Sequence, residues 1–186
     1  MNPEKPDPIK IVVSGPVGSG KTTLIQTLSS TEVVSTDELA SEDIGKPMTT
    51  VAMDFGVLEL EDQDIFLFGT PGQDRFDYMW EILSEGCFGL ILLIPADQPG
   101  QMVQVRRIYD VILSVSDIPV LLVLTRTDLG QVWEREDVQD YFDVPDDAIM
   151  EVDPRRVENA LDALLELVEI YIQRGSPEDD ATAQAI

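Results

Sequence analysis

The stretch GPVGSGKT at positions 15–22, set directly after the apolar run Ile9–Ser14, constrains this chain more than any other feature. It matches G-x-x-x-x-G-K-[ST] in full, and a helical stretch follows from Lys21 to Ser30. Gly15 and Gly20 let the backbone curl so that its amides face a phosphate, with Val17, Gly18 and Ser19 filling the loop and Thr23 following it. Lys21 is placed to neutralise β- and γ-phosphates, and the Thr22 hydroxyl to ligate Mg²⁺. The plain alternative is a glycine-rich turn between a strand and a helix. The match in full and its strand–loop–helix setting favour nucleotide binding.

A length of 186 residues suits one domain with a sizeable core. Twelve Lys and Arg against 36 acids leave a net charge of −24, which disfavours nucleic acid and anionic lipid as partners. Local backbone amides, one lysine and a metal still suffice for a nucleotide. Histidine is absent and Cys87 is the single cysteine, so His-based triads, His metal sites and internal disulfides are excluded. The apolar stretch from Cys87 to Pro95 is too short to cross a bilayer, and no secretory or lipidation signal is visible. The expectation is a soluble, cytoplasmic protein with no membrane insertion.

Residues 1–8, with three prolines, read as a flexible lead-in, and 175–186 as a flexible acidic tail. Between them, 9–174 reads as one α/β domain. Strands are expected at 9–14, 51–60, 64–69, 88–95, 120–125 and 148–152. Four of these are continuous apolar runs, as in parallel strands covered on both faces. The more polar run 51–60 belongs at an edge, joined to 64–69 as an antiparallel hairpin. Helices are expected at 21–30 and 101–115, the latter with Val105, Ile108, Ile112 and Val115 on one face. A final helix carries Val157, Leu161, Leu164, Leu165, Val168 and Ile172 as its apolar stripe. Right-handed crossovers then predict a doubly wound, mostly parallel six-stranded sheet of the phosphate-loop NTPase kind, with one antiparallel edge strand.

Two further motifs carry a family resemblance. TVAMDF at 50–55 resembles the switch I threonine and second strand of Rab- and Arf-type proteins, and GTPGQDRF at 69–76 resembles the D-T-A-G-Q-E of switch II. Over roughly residues 9–173 the chain is similar to Ras-like small GTPases, nearest to the prokaryotic gliding-motility and roadblock-associated types. The resemblance implies that Thr50 binds Mg²⁺ beside Thr22, with Thr49 as its neighbour. It implies that Gly72 donates its amide to the γ-phosphate and that Gln73 orients the attacking water. A strand start at Thr50 and a plain turn at Pro71–Gly72 are the bland alternatives. Gly69 stands where the family has a metal-holding aspartate, which leaves weaker metal binding or recruitment of another acid open. Val17, where Ras has glycine, crowds the path of an arginine supplied in trans.

The strand 120–125 runs into TRTD at 125–128, similar to the guanine motif N-K-x-D. Asp128 then accepts from the guanine N1–H and exocyclic amine, and the Arg126 stem lies along the ring. Thr125 replaces the bracing asparagine with a shorter group. Asp153, Pro154 and Arg155 fall where the family has S-A-K, and Pro154 lacks the N–H that reaches the guanine oxygen. The alternative there is an ordinary helix start, with Asp153 as N-cap and Pro154 in the first turn. The resemblance thus implies a GTP/GDP switch with Mg²⁺, slow hydrolysis, and protein regulators at the switch regions, a roadblock-type dimer among them. Phe76, Tyr78 and Trp80 are the candidate partner surface. A non-hydrolysing nucleotide-binding module is the alternative.

Overall fold

The computed structural model describes residues 5–35, 53–71, 86–130 and 132–174. In chain order the elements are β1 (Ile9–Ser14), α1 (Lys21–Leu28), β2 (Val34–Ser35), β3 (Asp54–Glu59), β4 (Asp64–Gly69), β5 (Gly89–Pro95), α2 (Met102–Val115), β6 (Val120–Thr125), α3 (Arg135–Phe142), β7 (Ile149–Glu151) and α4 (Val157–Gln173). They form one sheet in the order β2-β3-β4-β1-β5-β6-β7. From β4 to β7 every pairing is parallel, while β3 runs antiparallel to β4 with Asp54 opposite Gly69. The six expected strands are all present, and the two-residue β2 adds a short rung outside β3. Of the lead-in, residues 5–8 are described, and Lys5 Nζ donates to Asp64 Oδ1 at 2.8 Å.

β1, β5 and β6 are covered on both faces, which is why they read as unbroken apolar runs. Ile11, Val13, Ile91, Leu93, Leu121 and Val123 point to the side carrying α1 and α4. Val12, Leu90, Leu92, Ile94, Leu122 and Leu124 point to the side carrying α2 and α3. The carboxyl ends of β1, β5 and β6 therefore meet along one rim, where the loops after β1 and β6 lie side by side.

Three helical readings change. α3 was not foreseen from its polar sequence; it buries only Val138 and Phe142, and its start is fixed by a capping box between Glu134 and Asp137. On α4 the buried face is Ala160, Ala163, Leu164, Leu167 and Ile170, rotated from the expected stripe. Val157, Leu161, Leu165 and Ile172 are exposed instead. Small residues explain the rotation: alanines let the helix axis approach the sheet, and Leu167 packs over Gly89, where an added Cβ would lie 3.0 Å from its methyls. On α2, Met102, Val105, Ile108 and Ile112 are buried and Val115 is exposed.

The two leucines of α4 separate these patterns experimentally. Leu167→Ala should cost about 2–5 kcal/mol in chemical denaturation, as expected for a buried leucine. Leu165→Ala, at 62% exposure, should change stability by less than about 0.5 kcal/mol.

Candidate functional site

The loop after β1 takes its shape from three glycines with positive φ, at 15, 18 and 20. At Gly15 (φ 142°) a Cβ would stand 2.6 Å from the Leu93 carbonyl oxygen and 2.8 Å from Ser19 Oγ, so no other residue fits there without displacing β5. Gly20 (φ 102°) faces the Pro154 ring, 3.1 Å from where its Cβ would be. The loop then opens α1, whose unpaired first amides form a positive end suited to an anion. Lys21 folds back over the loop and donates to the carbonyl oxygens of Gly15 and Pro16, each at 2.8 Å. Burial holds its ammonium down to about 8, partly offset by the charge of Asp54. Ser19 Oγ is buried beneath the loop without a hydrogen-bond partner among the described residues. Val17 is 61% exposed at the loop's outer edge.

Thr22 Oγ1 donates to Asp54 Oδ2 at 2.5 Å, which joins the start of α1 to β3. Asp54 is not singled out by the sequence, where it is one residue of the TVAMDF run at 50–55. No local pattern marks it, because its partners at 22 and 69 are remote in the chain and meet only through sheet pairing. Gly69 ends β4 directly opposite it.

At the other end of the site, Thr125 is fully buried and its hydroxyl donates to the Ser19 carbonyl at 2.8 Å. The short side chain therefore does reach the phosphate loop. Arg126, with φ 61°, is held by Asp97 through two hydrogen bonds of 2.8 Å and reaches the Gly18 carbonyl at 3.3 Å. These bonds hold the Asp97 carboxyl below the usual range. Asp97 is a second residue that sequence reasoning missed. Arg155 bridges Asp128 (2.9 Å) and Asp153 (2.7 Å), and its guanidinium depresses the Asp153 carboxyl. Pro154 does not begin a helix: residues 153–156 form a turn closed by Arg156 N–H to Asp153 O at 3.0 Å, and Arg156 stands at the N-cap position of α4 with no side-chain cap bond.

Part of this set lines a cleft of about 320 Å³, with Lys21, Thr22 and Asp54 outside its lining. Gly18, Gly20 and Thr23 line its phosphate-loop end, and Arg126, Thr127, Asp128, Asp153, Pro154 and Arg155 line the other. Positions far apart in the sequence thus converge on a single site. Thr50, Gly72 and Gln73, with Thr49, Phe76, Tyr78 and Trp80, lie outside the described residues. No described helix is long and apolar enough to cross a membrane.

Residues 31–182 match the family described as "Conserved hypothetical ATP binding protein". That match begins after the phosphate loop, so the loop rests on its own motif and geometry. The uncharacterized protein MJ1339 of Methanocaldococcus jannaschii is 33% identical over 128 residues, spanning 69% of this chain and 76% of that relative. With four-fifths of its length inside the family match and a mixed α/β sheet around its phosphate loop, the chain belongs to the conserved hypothetical ATP-binding protein family.

Proposed function

We propose that this protein is a guanine-nucleotide switch that binds GTP and GDP with Mg²⁺ and hydrolyses GTP slowly. The observation that carries this reading is the continuous cleft between the phosphate loop and Asp128, with Arg126 on its wall. A nucleotide lying along it would place its β- and γ-phosphates at the loop amides and Lys21. Lys21 would exchange its two carbonyl contacts for phosphate oxygens. Thr125 would fix the distance between the two ends by holding Ser19. The Asp128 carboxylate would accept from N1–H and the exocyclic amine of guanine, a pair that adenine does not offer. Arg155 would have to share or release that carboxylate.

Hydrolysis on this reading is attack of water oxygen on the γ-phosphorus. The bond to the β–γ bridging oxygen breaks, GDP departs with that oxygen, and the water proton ends on phosphate. Gln73 would orient the water, with Thr50 and the Gly72 amide at the γ-phosphate. Thr22 and Thr50 offer hard oxygen donors suited to Mg²⁺, which when bound neutralises charge on the β- and γ-oxygens. A roadblock-type dimer ordering switch II through Phe76, Tyr78 and Trp80 is the proposed accelerating partner, acting inside the cytoplasm.

A second reading, adenine in place of guanine, is favoured by the family's description as ATP-binding and by Pro154, which lacks the N–H for the guanine oxygen. Competition of GTP and ATP decides between them: GTP should displace a bound fluorescent nucleotide better than ATP. Asp128→Asn should narrow the margin by about 1–3 kcal/mol. Equal displacement in the unaltered protein sinks the guanine reading.

Single-turnover hydrolysis tests the switch itself. Gln73→Ala should slow cleavage while leaving GTP affinity nearly unchanged, because the side chain acts in the transition state. Binding with no turnover in the unaltered protein, with excess Mg²⁺ and a candidate partner, would point to the non-hydrolysing module.

Lys21 adds a pH signature. In the free protein its ammonium loses a proton near 8, whereas phosphate contact favours the charged form. Binding therefore takes up a proton above that pH. Calorimetry should show affinity nearly flat below about pH 8 and falling by up to about tenfold per unit above it. Lys21→Met should abolish the slope along with most of the affinity.

A further inference from the structure

We infer that Asp54, on β3, supplies to a magnesium–nucleotide complex the carboxylate that the end of β4 lacks at Gly69. This rests on the nucleotide reading above and deepens it. Asp54 and Gly69 are a directly opposed antiparallel pair, so their Cα atoms are neighbours across the strands. A Cβ at position 69 would lie 3.1 Å from Asp54 Cβ and 3.4 Å from Asp54 Oδ2. The Asp54 side chain therefore occupies the volume that an aspartate at 69 would enter. It also ends on Thr22, with Oδ2 at 2.5 Å from the hydroxyl. Two hard oxygen donors from different elements thus meet at the start of α1, beside the phosphate loop.

Charge gives the arrangement a second consequence. A carboxylate next to the seat of a polyphosphate repels it, unless a dication lies between them. Asp54 should therefore oppose nucleotide when metal is absent and favour it when Mg²⁺ is present. Position 69 has to be small for this to work: a Cβ there meets Asp54 itself and, at 2.8 Å, Ile25 Cδ1. The glycine and the displaced aspartate are two halves of one substitution across a strand pair.

The test uses the full chain and GDP or ADP, whichever binds more tightly. Affinity is measured by fluorescence in Mg²⁺ and again in EDTA, and the ratio of the two is read. Asp54→Asn should shrink that ratio by about tenfold or more, the usual scale for removing a group that supports a metal's ligands. Moving the acid back should restore it: Asp54→Gly combined with Gly69→Asp should show a larger ratio than Asp54→Gly alone. In that double variant the two Asp54 contacts of the new Cβ are gone, and its nearest neighbour is the far end of the flexible Ile25 side chain. Circular dichroism melting checks that each variant is folded. An undiminished ratio in folded Asp54→Asn overturns the assignment while leaving nucleotide binding intact. Absence of nucleotide binding by the unaltered protein in both buffers overturns the functional reading itself.

Discussion

The hydrogen bond from the Thr125 hydroxyl to the Ser19 carbonyl crosses 106 residues of chain and lies wholly inside the protein. It joins the end of β6 to the loop after β1, two segments that the sheet brings near each other but does not pair. In a buried setting such a bond is costly to leave unmade, since both groups would lose water without gaining a partner. The relation between the phosphate-loop end of the cleft and its Asp128 end depends on it. Arg126 reinforces the same link from outside, reaching the Gly18 carbonyl while Asp97 holds its guanidinium. The corner is therefore held by contacts within the chain itself.

Much of this architecture is legible in the sequence because burial on both faces leaves a plain mark. β1, β5 and β6 are runs of six or seven residues with almost no polar interruption, and the glycine loop has a spacing that few other structures need. What escaped was set by tertiary contact. α3 has only two buried side chains, too few to produce a stripe. The buried face of α4 includes Ala160 and Ala163, which a search for large apolar residues passes over. Asp54 and Asp97 look like surface acids until β4 and Arg126 are placed beside them. At Pro154 the local signal for a helix start was sound, yet a turn won, because the ring packs against Gly20.

The excess of acid also has a visible arrangement. Arg106 pairs with Asp110, Arg126 with Asp97, Arg135 with Asp146 and Arg155 with Asp128 and Asp153. The exposed pairs among these contribute little to stability, whereas Arg126–Asp97 is part-buried. Their effect is on the field: these arginines are locally neutralised and do not add up to a basic patch. Any polyanion approaching the cleft meets an acidic protein and relies on short-range contacts at the loop.

The outer edge of β3 is closed along its length by the chain that follows α1. Val34 and Ser35 pair with Phe55 and Asp54. Further along, Val57 N–H donates to Ser29 Oγ at 3.1 Å, Ser30 N–H donates to the Val57 carbonyl at 2.7 Å, and Glu59 N–H donates to Ser30 Oγ at 3.1 Å. Two serine hydroxyls thus do what a neighbouring strand would do, without being one. An open edge invites strand addition from other chains. Here an incoming strand would first have to peel away residues 29–35 to reach β3, so the edge of β3 is guarded against β-augmentation and against the fibre-forming contacts that exposed edges seed.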